Sequence, residues 1–155
     1  MFEKPNEITL SGKQYPIKCD LLVLEQAQKK YGSVNEFEKR IMNWEYELDE
    51  NGERIRTSVK RKDGAEVEGY KTHGKIPDAD AVLDALYWMA CEGAAITAEE
   101  SDTPCKVPTR EGLARAVDMG LMELGGALHE EFYRCFEGNR KATRNPGKET
   151  EETEA

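Results

Sequence analysis

The sequence predicts an α+β fold that is mainly α-helical: an N-terminal β-hairpin leading into a small helical domain of four to five helices, with a β-hairpin or meander inserted between helical blocks. Three observations predict it. Apolar residues alternate around a tight-turn signal near the N-terminus, and capping residues then mark out successive helices. Between positions 43 and 75 the composition shifts to charged and β-prone residues, punctuated by Asn51-Gly52 and Asp63-Gly64.

Ile8, Leu10, Tyr15 and Ile17 flank Ser11-Gly12-Lys13 with the period of two that buries one face of a hairpin. Asp20 opens the first helix, since its carboxylate can accept from the free amides of the first turn; Leu24, Ala27 and Tyr31 share one face. Gly32 closes that helix, because a residue just past a helix end often needs positive φ. Ser33 with Glu36 forms a capping-box signature for a second helix carrying Val34, Phe37 and Ile41 inward.

In the inserted segment 43–75, Trp44, Tyr46 and Leu48 precede Asn51-Gly52 and Ile55, Thr57 and Val59 follow it, the strongest short hairpin signal. Asp63-Gly64, followed by Val67 and Tyr70, adds a strand and makes a meander. The segment nearly balances in charge. Lys60-Arg61-Lys62 beside the turn reads as a solvated loop tip; as a nucleic-acid patch it is too small.

Pro77 and Asp78 open a central helix, with Asp78, Asp80 and Asp84 placed where acidic groups favour the positive end of the helix dipole. From Ala79 to Ile96 apolar residues occur almost all round, so this helix is expected at the centre, with Val82, Leu86, Met89 and Ile96 deepest and Tyr87 or Trp88 nearer an edge. Its Ala90, Gly93, Ala94 surface is small enough for another helix to approach. Thr109 caps a long amphipathic helix in which Leu113, Val117, Leu121, Leu124, Leu128, Phe132 and Phe136 recur every three or four residues. Gly120, Gly125 and Gly126 weaken it and predict a bend or break. Residues 1–137 are read as one domain and 138–155, without apolar periodicity, as a disordered polar tail.

A chain of 155 residues can bury roughly two-thirds of its unfolded surface, enough for one core. A net charge of −9 argues against a protein that coats nucleic acid and favours protein partners. No run of about 20 apolar residues exists to span a bilayer, and the N-terminus lacks signal-peptide order, so a cytoplasmic location is expected with no membrane partner. Cys19, Cys91, Cys105 and Cys135 form no Cys-x-x-Cys pair and His73 and His129 stand apart from them, so no metal is expected. His129-Glu130 begins like a zinc-protease helix, but Tyr133 stands where the second His belongs. No phosphate loop, nucleophile elbow or dinucleotide fingerprint is present. The chain is expected not to be an enzyme and to hold no cofactor.

The run LSGKQYPIKCDLLVLEQAQKKYGSVNEFEK, Leu10 to Lys39, resembles the N-terminus of the tail assembly chaperones of long-tailed bacteriophages and prophages, and ALYWMACEGAAI, Ala85 to Ile96, resembles that family's central helix. The two blocks cover about a quarter of the chain in the family's order. The resemblance implies a protein that keeps the tape-measure protein soluble and recruits tail-tube subunits to it, and that is absent from the mature virion; self-association is a further expectation. Partner binding would fall on the aromatic edge of the central helix, Tyr87 and Trp88, or on Leu121, Leu124, Leu128 and Phe132 of the C-terminal helix, any of which could instead be ordinary core. Many such chaperones also exist as a frameshifted long form, and Pro146-Gly147-Lys148 can be encoded by a slippery run of G then A, which would make this chain the short form. The alternatives are a small structural tail or head-completion protein that stays in the virion, and an acidic adaptor or nucleic-acid mimic. An upstream tube gene and a downstream tape-measure gene would favour the first reading.

Overall fold

A computed structural model describes residues 5–137; the expected tail at 138–155 lies outside them. Strands β1 (Asn6–Leu10) and β2 (Lys13–Ile17) pair antiparallel with Ile8 opposite Tyr15 and Leu10 opposite Lys13. Their two-residue turn needs positive φ at both positions, and Ser11 (50°) and Gly12 (81°) supply it. Ile8, Leu10 and Ile17 are buried on one face.

Helix α1 (Leu21–Tyr31) starts as expected, with Asp20 Oδ1 accepting from the amides of Leu22 and Val23, and ends at Gly32 with φ 88°. Helix α2 (Val34–Ile41) is capped by Ser33, whose hydroxyl accepts from the Glu36 amide at 3.0 Å. The Glu36 carboxylate is turned to Arg40 Nε at 3.1 Å. Phe37 and Ile41 are fully buried.

The segment after α2 differs in its pairing from a consecutive meander. Strand β3 (Trp44–Tyr46) pairs with β6 (Thr72–Gly74), and β4 (Arg56–Lys60) pairs with β5 (Glu66–Tyr70). Asn51-Gly52 is a turn, as expected, but only the bridge Leu48–Arg54 flanks it. The reason lies at a three-way junction. Glu47 N–H donates to Lys71 O, Lys71 N–H to Ile55 O and Ile55 N–H to Glu47 O, which closes the base and leaves β4–β5 to project as an arm.

Helix α3 (Ala79–Ser101), capped by Asp78, is the centre of the molecule and touches β2, α1, α2, α4 and α5. Val82, Leu86 and Met89 are among its deepest residues. Ile96 is only half-buried, a departure from expectation: over the last two turns of the helix Ala98 alone is buried. The small surface at Gly93 receives a strand, not a helix: a β-carbon there would lie 2.1 Å from the Pro16 carbonyl oxygen, and Lys18 N–H donates to Met89 O at 3.0 Å.

The long C-terminal helix breaks. Helix α4 (Arg110–Ala116), capped by Thr109, stops where Val117 turns extended, and α5 (Leu121–Glu137) begins after Gly120. Gly125 and Gly126 serve close approach: β-carbons there would lie 2.7 Å from Ile41 O and from Asn43 Nδ2 respectively. Phe37 joins the layers, its ring 5.4 Å from Tyr31, 5.8 Å from Trp88 and 5.9 Å from Phe132.

Candidate partner-binding surface

The core takes most of the residues that the sequence offered as partner contacts. Leu124, Leu128 and Phe132 are 4%, 0% and 1% exposed and belong to the central apolar cluster, so in this fold they have no surface to give a partner. From Leu124 to Phe132 the amphipathic stripe of α5 faces α2 and α3, while Phe136 near its end is exposed. Leu121, Tyr87 and Trp88 are half-buried against the same cluster, and Trp88 leans on Phe37.

Two buried carboxylates are accounted for internally. Asp84, 4% exposed, accepts from Lys30 Nζ at 2.6 Å and the Tyr31 hydroxyl at 2.7 Å through Oδ2, and from Arg110 Nε and Nη2 at 3.2 and 3.1 Å through Oδ1. Helix-start electrostatics therefore explains Asp78, which caps α3 and pairs with Arg40 at 3.1 Å, but not Asp84, which ties α3 to α1 and α4. Exposed Asp80 extends the network to Lys30 and Arg110. Burial and the Asp84 carboxylate push the Tyr31 phenol well above its ordinary range, and the Lys30 ammonium beside both aspartates holds the Asp80 carboxyl below its own.

Glu131, 3% exposed, accepts from Asn6 Nδ2 at 2.7 Å and from the Cys19 amide at 3.2 Å, joining α5 to the hairpin and its exit. His129 Nε2 sits 2.9 Å from Glu38 Oε2, a contact between α5 and α2. Burial pushes the Cys19 thiol far up, so it packs as a small apolar group. Among the described residues no buried side-chain nitrogen or oxygen lacks a partner, and no three His, Cys, Asp or Glu side chains converge as a metal site.

The surface with the composition of an interface lies in the inserted segment. Every residue of β4 and β5 except Gly69 is exposed on both faces of the ribbon. Val59 and Val67 pair across it, apolar and in solvent. At its base the Arg54 guanidinium lies 4.0 Å from the Tyr46 ring centre and 5.6 Å from that of Tyr70; Tyr46 meets Tyr70 and Trp44 edge-on at 6.0 and 5.1 Å. Trp, Tyr and Arg are the residues that dominate binding energy at protein interfaces. The signal was present in the sequence as three aromatics and an arginine within one short segment. Only the β3–β6 pairing brings Tyr70 back beside Tyr46.

No helix among the described residues is long and apolar enough to cross a membrane. No family model, curated protein or solved structure matches the chain.

Proposed function

We propose that this chain is a phage tail assembly chaperone: a non-enzymatic cytoplasmic protein of the infected or lysogenic cell that binds the tape-measure protein, keeps it soluble and recruits tail-tube subunits before leaving the growing tail. The observation that carries the reading is the β4–β5 arm. A lone two-stranded ribbon is marginally stable in water, and this one presents two valines to solvent and, at its base, a half-buried aromatic stack edged by the exposed Arg54 and Tyr70. A binding partner supplies the third layer that such a ribbon lacks.

Support also comes from the residues that carry the resemblance. Ile8 to Glu38 forms a hairpin followed by two capped helices, and Ala85 to Ile96 lies within the central helix, the arrangement that the likeness implies. The interior ion pairs are satisfied within the fold, so the buried carboxylates need no substrate to explain them. The test is co-expression with the tape-measure protein encoded nearby. A soluble complex that survives purification supports the chaperone. Purified tails that contain this chain would favour a structural protein of the virion.

A further inference from the structure

At the end of α3 remote from the arm lies a groove of about 500 Å³, walled by Tyr15 and Pro16 of β2 on one side and Val107 and Pro108 on the other, with Ala94 and its neighbours on α3 as the floor. The arm returns to the chain just before Ala79, and Ala94 is 15 residues further along the helix, about 22 Å at 1.5 Å per residue. The two surfaces are separate.

Three features define what the groove can hold. Its floor and walls are mostly alanine, proline, valine and the Tyr15 ring, which suit small apolar side chains. Its charges have one sign: Lys13 and Lys106 line it and no acidic residue does, in a chain with 31 acidic residues. Neither lysine forms an ion pair among the described residues, and Lys13 Nζ rests 5.0 Å above the Tyr15 ring centre.

The third feature is a short open strand edge. Leu10 and Lys13 close the two-residue turn and so exchange hydrogen bonds, as do Ile8 with Tyr15 and Asn6 with Ile17 in alternation. The backbone groups of Gln14 and Pro16 therefore point the other way. Pro16 has no N–H and its carbonyl abuts Gly93, and beyond it Lys18 N–H is taken by Met89 O. That leaves the N–H and C=O of Gln14, at the groove, as the one open donor-acceptor pair on this part of the edge.

We propose that the groove binds a short extended segment of a partner polypeptide carrying small apolar side chains beside carboxylates. Its backbone pairs with Gln14, its apolar side chains enter between Tyr15 and Val107, and its carboxylates meet Lys13 and Lys106. The backbone pair selects a peptide over a simple apolar anion, and the lysines select acidic sequence over basic.

The test titrates the full chain, labelled with nitrogen-15, with three synthetic peptides: acetyl-Asp-Val-Ile-Glu-amide, acetyl-Lys-Val-Ile-Lys-amide and acetyl-Asp-Gly-Ser-Glu-amide, and separately with hexanoate. The expected result is saturable shifts of the Gln14, Ala94 and Val107 amides with the first peptide alone. The double variant Lys13→Glu with Lys106→Glu, whose spectrum away from the groove reports that it folds, should weaken that binding about tenfold or more, which is 1.4 kcal/mol. Absence of those shifts, equal shifts with the basic peptide, or stronger binding of hexanoate than of the first peptide would overturn the proposal. None of these outcomes bears on the chaperone reading, which rests on the arm.

Discussion

The Pro16 carbonyl oxygen lies where a β-carbon on Gly93 would be 2.1 Å away, so the second strand of the hairpin rests directly on the backbone of the central helix. No side chain larger than hydrogen fits between them. Gly93→Ala should therefore force strand and helix apart and destabilise the protein by about 2–4 kcal/mol, since the clash is with backbone and not with a flexible side chain. Urea unfolding checks it. A Gly93→Ala protein as stable as the parent would mean that the hairpin does not sit there.

Asp84 holds three helices through one buried carboxylate. Asp84→Ala removes the acceptor of the Tyr31 hydroxyl, Lys30 and Arg110 and should cost about 1–3 kcal/mol, the cost of losing buried hydrogen bonds, because both cations are partly exposed and water can take them up. Asp80→Asn, at an exposed position in the same network, should cost about 1 kcal/mol or less. The ratio of the two effects, read by denaturant unfolding, separates a buried tie from a surface charge cluster.

Glu92 on α3 shares a hydrogen bond with the Asp20 carboxylate, and that bond with partial burial pushes its carboxyl up to about 7. A raised carboxyl binds its proton more tightly in the folded state than in the unfolded chain. The stabilisation is then full below the unfolded value near 4.5 and is lost as pH rises through about 7. Between pH 5 and 8 the protein should lose about 1–2 kcal/mol of stability from this pair, a figure reduced for solvent screening at a half-exposed site. Glu92→Gln should flatten that slope. An unchanged slope in the variant would place the pH dependence elsewhere.

Lys71 N–H donates to Ile55 O at 2.7 Å, so the chain enters and leaves the β4–β5 arm at adjacent points. Replacing residues 56–70 by Gly-Gly should leave the helical body folded, with its melting temperature within about 2 °C, because the arm's side chains are exposed and contribute little to the core. Loss of the cooperative thermal transition in the shortened chain would show that the arm is structural.

Local signals in the sequence reached the elements, and non-local ones were needed for how they meet. Asp20, Gly32, Ser33 and Thr109 announce helix ends through the chemistry of their own first or last turn, and each stands where that chemistry put it. Gly93 announced a close approach, but not that the neighbour is a strand residue, Pro16, 77 positions earlier in the chain, which depends on where the hairpin packs. Asp84 looked like part of a helix start because its partners, Lys30 and Arg110, lie 54 and 26 residues away. The stripe Leu124, Leu128, Phe132 has the same periodicity whether it faces a partner or the core, and only the packing of α5 on α2 and α3 decides for the core. For the surface, Trp44, Tyr46, Arg54 and Tyr70 read as strand residues until the β3–β6 pairing stacks them.

The most direct test of the central claim is co-expression of the tape-measure protein with the intact chain and, in parallel, with the chain lacking residues 56–70. The chaperone reading predicts soluble tape-measure protein that co-purifies with the intact chain, and loss of most of that soluble complex when the folded but armless chain replaces it. A tape-measure protein that stays insoluble beside the intact chain would contradict the chaperone reading, and one rescued equally well without the arm would contradict the arm as its binding surface.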